Sequence, residues 1–223
     1  MTQTPWDRFF ERAVRDALQP ATRVLDVGAG LRADPHRGNR LDPRRAWIQP
    51  LLQRVRCDVI DPVDTYRPSL VGDVQALPFK ADSYDAVICL AVLEHVPRPW
   101  EGVREMRRVL QAGGLLFLYV PFLIPYHAEP GYYSDYWRFT NEGLKTLLSD
   151  FDDIRMEPVR GPAETLAHML PAGFTLRLLP SIGRQIDRLR RASGRQTSGF
   201  FTTARKPSPA GACRSADISA CVS

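Results

Sequence analysis

Four apolar runs, Thr22 to Val27, Cys57 to Asp61, Tyr84 to Leu90 and Leu115 to Val120, recur at intervals of roughly 30 residues, the length of one strand, crossover, strand unit. That spacing leaves little choice of architecture. Tyr84 to Leu90 (YDAVICL) and Leu115 to Val120 (LLFLYV) are continuous rather than alternating, as strands are when a parallel sheet is covered on both faces. Between them, Trp100, Val103, Met106, Val109 and Leu110 share one side of a helical spacing and Arg104, Arg107 and Arg108 another. Gly113-Gly114 reads as the stop of that helix. A βαβ unit with a right-handed crossover follows, and with it an α/β fold.

The remaining pattern fits one domain, since 223 residues enclose a single good core. Pro5 to Leu18 is an amphipathic helix, Arg32 to Arg45 a long irregular loop, Trp47 to Val55 a weaker helix and Ser69 to Asp73 a third short strand. Further on, Thr140 caps a helix over Asn141 to Leu148, and Asp152 to Val159 and Gly199 to Arg205 are strands. The domain is expected over residues 1–206, with a substrate-side insert at 121–140 and a variable helical segment at 161–195. Residues 207–223, small and polar, read as a disordered tail.

The net charge of +5 is carried almost wholly by arginine, because Lys80, Lys145 and Lys206 are the only lysines. Arginine favours planar anions, but a basic balance alone does not single out nucleic acid or a membrane surface. Cys57, Cys89, Cys213 and Cys221 lack close-paired metal spacing, so no metal site is expected and a reduced cytoplasm is the natural compartment. The N-terminal stretch has no signal-peptide pattern, and no window approaches the ~20 apolar residues of a membrane span.

Val24 to Gly38 (VLDVGAGLRADPHRG) puts one acid, Asp26, just before Gly28-Ala29-Gly30. Formally, Gly28 to Ala33 satisfies the dinucleotide pattern G-x-G-x-x-G/A, which would make the chain a nicotinamide dehydrogenase. Asp26 argues otherwise, since a fixed negative charge there repels a pyrophosphate and attracts a cation. S-adenosylmethionine meets that demand with a sulfonium and an ammonium group and no phosphate. Asp61, at the end of the second strand, would accept hydrogen bonds from the ribose diol, with Asp64 near enough to serve instead. Asp73 and Val74 would meet the adenine edge, and Gly28 and Gly30 would let the backbone approach the aminoacyl part.

These residues resemble the class I S-adenosylmethionine-dependent methyltransferases, in particular the type 11 group that joins D-x-G-x-G to LPF, YDxV and LEHV. The matching residues are Asp26 to Gly30, Leu77 to Phe79, Tyr84 to Val87 and Leu93 to Val96, and Arg108 to Gly114 is similar to that group's R-V-L-K-P-G-G. Arg32 stands where the group usually has a third glycine. The resemblance covers about Val24 to Val120. It implies a Rossmann-like, doubly wound, mostly parallel seven-stranded sheet with an antiparallel last strand. It further implies a cofactor site formed by Asp26, Gly28, Ala29, Gly30, Asp61, Asp73, Val74 and Leu90.

Pro125 to Thr140 is dense in aromatic and titratable residues and follows a strand end, so it overhangs the crevice. His127, Pro130, Asp135, Tyr136, Arg138, Phe139 and Thr140 resemble the H-x-x-P and D-Y-x-R-F/Y-T of methyltransferases associated with surface-glycan biosynthesis. That likeness implies a glycan-like, hydroxyl-bearing acceptor. Tyr126, Asp135, Tyr136 and Arg138 are the candidate substrate residues, and His127, then His95, the candidate bases. Glu94 reads as solvated or helix-capping, which leaves His95 without a partner carboxylate.

The expected activity is methyl transfer from S-adenosylmethionine to a small-molecule or glycan-like acceptor, at a hydroxyl oxygen. The alternatives are a nucleic-acid methyltransferase, disfavoured because Cys89 to Val92 lacks the N/D-P-P-Y/F of base-amino chemistry, and a non-catalytic cofactor-binding module. A membrane-surface role through the basic Gly183 to Arg195 region is a further alternative.

Overall fold

A computed structural model describes residues 3–170, 179–190 and 195–208. The seven strands form one sheet in the order β3-β2-β1-β4-β5-β7-β6. In chain order the elements begin with α1 (Pro5–Ala17), β1 (Arg23–Val27), the short α2 (Gln49–Leu52), β2 (Arg56–Asp61) and β3 (Leu70–Val71). They continue with β4 (Tyr84–Leu90), α3 (Pro99–Val109), β5 (Leu110–Pro121), α4 (Asn141–Leu147), β6 (Asp152–Val159), α5 (Pro162–Met169), α6 (Leu179–Arg190) and β7 (Gly199–Arg205). The β1, β2, β3, β4 and β5 pairings are parallel, and β7 runs antiparallel to both β5 and β6. The expected mostly parallel sheet with an antiparallel last strand is therefore the observed one.

The alternation of side chains along each strand sorts the core into two layers. Leu25, Val27, Val87, Cys89, Leu116 and Leu118 face α3, meeting Val103, Met106 and Val109. Val24, Ala86, Ile88, Leu115 and Phe117 face α1, meeting Ala13, Val14, Ala17 and Leu18. Asp26 has the same parity as Val24 and so belongs to the α1 side of the sheet. Helix α1 starts where Thr4 accepts from the Asp7 amide at 3.1 Å and the Asp7 carboxylate reaches back to the Thr4 amide at 3.0 Å, a capping box.

Four local expectations change. Helix α3 stops at Val109, before Gly113-Gly114, because the fully buried Leu110 already pairs with Tyr84 in the sheet. The glycines instead sit inside β5, where Gly113 takes a positive φ of 76°. The helix expected over Trp47 to Val55 is a 3-10 segment, Pro43–Ile48, joined to the four residues of α2, and the third strand shrinks to Leu70–Val71. Residues 32–45 contain 3-10 turns rather than an irregular loop. Most of the expected disordered tail lies outside the described residues.

Phe117 is fully buried and packs against Phe10 and Phe201, with ring centroids 5.7 and 5.8 Å away. Phe117→Ala is expected to cost about 3–5 kcal/mol of unfolding free energy, read from urea denaturation followed by circular dichroism.

Candidate functional site

Strand order reverses direction between β1 and β4, and a crevice opens beyond the carboxyl ends of those strands. A cavity of about 690 Å³ occupies it, walled by Gly28 and Gly30 after β1, Asp61 after β2, Asp73 and Val74 after β3, and Leu90 after β4. His95 and residues 126–134 close the other side. This is a volume suited to a nucleoside-sized ligand with room for a second molecule.

The glycine turn is shaped by its neighbours as much as by any ligand. Gly28 has φ of +80°, and a Cβ there would lie 2.3 Å from Val92 Cγ2. At Gly30 a Cβ would lie 2.7 Å from Leu90 Cβ and 2.9 Å from the Leu90 carbonyl oxygen. Both glycines thus let the turn close onto the end of β4. Arg32, at the position of the usual third glycine, also takes a left-handed φ of 52°, which explains why glycine is favoured there. The Arg45 guanidinium, from the 3-10 segment beyond, donates to the Gly30 and Leu31 carbonyls at 2.6 and 3.1 Å and ties the turn down from outside.

Asp26 is placed differently from the sequence expectation. It is buried, and its carboxylate accepts from the Gly30 and Leu31 amides at 3.1 and 3.3 Å. It and Ala29 line a second cavity of about 370 Å³ on the α1 side, with Arg37 and Cys57, and not the crevice. The reason is strand parity: its side chain points to the other face. Burial pushes the Asp26 carboxyl up to about 7, so it bears only part of the fixed charge the sequence implied. Its part in the site is to hold the turn.

Asp61 and Asp73 do stand at the crevice. Asp61 is buried and accepts from the Val63 amide at 3.1 Å, whereas Asp64 opens the following 3-10 turn outside the cavity wall. Asp73 caps its own turn, accepting from the Gln75 amide and the Gln75 side chain at 2.8 Å each.

The insert docks on the LEHV segment through backbone bonds. The Tyr136 and Trp137 amides donate to the Glu94 carbonyl at 2.7 and 3.2 Å, and Trp137 Nε1 donates to the Val96 carbonyl at 3.0 Å. Tyr126, Tyr132, Tyr133 and Tyr136 consequently line the crevice with His95 and His127. Asp135 and Arg138 do not. They pair with each other at 2.5 and 2.7 Å, and Arg138 also donates to the Pro125 carbonyl at 2.9 Å, stapling the insert's two ends. That guanidinium holds the Asp135 carboxyl well below the usual carboxylate range.

Glu94 overturns its sequence expectation outright. It is completely buried, and among the described residues neither carboxylate oxygen has a hydrogen-bond partner. Its Oε1 faces His127 Nε2 at 3.7 Å and His95 Nε2 at 3.9 Å, so His95 does have a carboxylate beside it. The two imidazole centroids are 4.9 Å apart. Glu94 raises the His127 imidazole above its ordinary value. A glutamate in a loop of charged and apolar residues carries no one-dimensional mark of this burial; only the insert's docking creates it.

The sheet order, the glycine turn and the acid-lined crevice define the architecture of class I methyltransferases. Residues 49–118 match the family model described as a methyltransferase domain. Over 137 residues the chain is 27% identical to 2-methyl-6-phytyl-1,4-hydroquinone methyltransferase 1 of Oryza sativa subsp. japonica, covering 55% of this chain and 39% of that protein. It is 35% identical over 111 residues to the ubiquinone biosynthesis O-methyltransferase of Xanthomonas campestris pv. campestris, covering 48% of this chain and 45% of that one. The chain thus spans less than half the length of either curated relative. A crystal structure of a SAM dependent methyltransferase from Archaeoglobus fulgidus superposes with a TM-score of 0.55 at 16% identity, covering 89% of this chain and 92% of that one. Residues 49–118 thus carry a methyltransferase-domain match, and the chain as a whole has the fold of its S-adenosylmethionine-dependent methyltransferase neighbours.

Two predictions follow from the turn. Gly28→Ala is expected to weaken S-adenosylmethionine binding at least tenfold by calorimetry, with Gly28→Ala/Val92→Ala recovering part of the loss by clearing the contact. For Asp26, the raised folded value means the buried proton stabilises the fold fully below about pH 4, and that contribution fades as pH rises to about 7. Stability therefore falls with pH across that window, and Asp26→Asn should flatten the slope in urea melts between pH 4.5 and 7.5.

Proposed function

We propose that this protein transfers the methyl group of S-adenosylmethionine to a hydroxyl oxygen of a small, ring-bearing acceptor. The observation that carries this is the crevice itself, which has a cofactor wall on the β1, β2, β3 and β4 ends and an opposite wall of four tyrosines and two histidines. Tyrosine faces stack on planar or sugar rings, and imidazoles beside them suit an acceptor that must shed a proton.

S-adenosylmethionine, when bound, supplies an electrophilic methyl on its sulfonium. Asp61, projecting from the end of β2, accepts hydrogen bonds from the ribose diol, and the 73–74 segment borders the adenine. Gly28 and Gly30 leave the backbone bare beside the aminoacyl part. Asp26 contributes by fixing the turn rather than by touching the ligand. Alignment of acceptor and donor supplies much of the rate, since a held pair reacts as if at very high effective concentration. Tyr126 and Tyr136 clamp the acceptor ring, while His127 and His95 weaken the hold of the hydroxyl on its proton. Asp135 and Arg138 serve by keeping the insert folded over the crevice.

A glycan-like acceptor is favoured by the His127 to Thr140 pattern, and a hydroquinone is favoured by the likeness to the Oryza sativa 2-methyl-6-phytyl-1,4-hydroquinone methyltransferase. Both present a ring hydroxyl to the same wall. A nucleic-acid acceptor has less support, because the wall facing the cofactor is aromatic and not arginine-rich. Among the described residues, no helix is long and apolar enough to cross a membrane. In the basic segment proposed for membrane contact, Arg184 is engaged with Glu164 at 2.6 Å and Asp187 caps the start of α5.

At a concentration 100-fold above Kd, S-adenosylmethionine should add about 2.7 kcal/mol of stability and raise Tm by roughly 5–10 °C. NAD should leave Tm unchanged. With a panel of ring hydroxyl acceptors and methyl-labelled cofactor, label should appear as an O-methyl product, and Tyr136→Ala should raise KM for the acceptor more than it lowers cofactor affinity. Cofactor binding without label transfer to any hydroxyl, sugar or phenolic, would overturn the acceptor assignment.

A further inference from the structure

We infer that Glu94, His95 and His127 form a binding site for one divalent transition-metal ion of the zinc type at the acceptor end of the crevice. The three side chains offer one oxygen and two nitrogen donors lying within 4.8 Å of one another. Two histidines and one carboxylate, with a coordination position left open, are a donor set that zinc and its first-row neighbours accept.

The electrostatics ask for a cation at this point. Glu94 is fully buried and, among the described residues, has no hydrogen-bond donor on either oxygen, an arrangement that costs free energy unless positive charge stands against it. The groups facing Oε1 are the Nε2 atoms of His127 and His95, at 3.7 and 3.9 Å, too far for hydrogen bonds and spaced so that an ion fits between them after a small contraction.

The opposite nitrogens are held as metal-bound imidazoles usually are, by oxygen acceptors that fix the ring and leave the Nε2 lone pair outward. His95 Nδ1 lies 2.7 Å from the Ser134 carbonyl. His127 Nδ1 lies 3.2 Å from the Pro125 carbonyl and 3.3 Å from Asp135 Oδ2. Arg138 Nη2 is also nearby, at 3.4 Å, but its short bonds go to Asp135. The Asp135–Arg138 pair, which does not line the crevice, thereby gains a purpose as the support behind one ligand. Both histidines border the cavity and Glu94 lies behind them, so the open position faces the acceptor.

The use of such an ion rests on the methyl-transfer reading, although the site does not. An acceptor hydroxyl on the open position would have its O–H bond weakened by the cation. Its proton would pass to water while its oxygen takes the methyl group and the donor leaves as the neutral thioether. The histidines then act as ligands and not as free bases.

The test uses the full chain without an affinity tag, stripped with EDTA and titrated with Co²⁺ while visible absorption is recorded. One equivalent is expected to bind with the d–d bands of a nitrogen and oxygen site, and Zn²⁺ should displace it. Removing an outer-shell partner typically costs 10–100-fold in affinity, so loss of a direct ligand in His127→Ala should cost at least about 100-fold. His127 is partly exposed, which makes that variant the safe one; Glu94→Gln is the stronger probe. S-adenosylmethionine binding measured on the same samples reports that each variant is folded, and His36→Ala should leave Co²⁺ affinity unchanged. Equal Co²⁺ binding by the parent chain and His127→Ala, or no binding below millimolar Co²⁺, would overturn the site. Retained cofactor binding with no metal site would leave the proposed methyl transfer standing, whereas metal binding without methyl transfer would sink only the latter.

Discussion

The close approach of the Gly28 to Gly30 turn to the end of β4 is the contact on which the rest of the site depends. With side chains at either glycine, the turn would be forced off Leu90 and Val92, and the wall of the crevice would move with it. The turn is held from three directions: Asp26 takes two of its amides, Arg45 takes two of its carbonyls, and the β4 end supports it from beneath. A backbone loop so constrained presents bare Cα atoms to a ligand without having to reorganise on binding, which is how a site keeps more of its interaction energy.

On the opposite wall the organising group is Glu94. Its backbone carbonyl receives two amides of the insert, and its buried carboxylate sits under the two imidazoles. One residue thus joins the loop after β4 to the segment after β5, and the aromatic wall is positioned relative to the cofactor wall through it. Asp61 and Asp73 thus stand at one wall of the crevice and Glu94 behind the other, so the acids at strand ends and the buried acid under the imidazoles occupy opposite sides. Asp26 shows that an acid in a motif can act by shaping a loop, with burial drawing its proton on at pH values where free aspartate is ionised.

The fold was legible to a large degree. Apolar runs such as YDAVICL carry their own signal because a strand covered on both faces has no room for polar residues, and all seven strands lie where such runs or alternations stand. Boundaries were less legible. The end of α3 falls within a residue of the Leu110 that closes its apolar face, but the stop is the pairing of Leu110 with Tyr84 across the sheet and not Gly113-Gly114. That Asp61, Asp73, Val74 and Leu90 meet at one crevice was legible from order and spacing, because a parallel sheet places strand ends together.

The sequence by itself determined the layered α/β order, the glycine turn and the acids at strand ends, since these rest on local periodicity and on steric limits that act within a few residues. Only the tertiary structure decided which way those acids point and which groups meet. Strand parity turned Asp26 to the α1 side, and docking of the insert on the loop after β4 buried Glu94 between His95 and His127, groups 32 positions apart in the case of His95 and His127. Such meetings depend on burial and distance in three dimensions, quantities that a one-dimensional pattern of residue types does not contain.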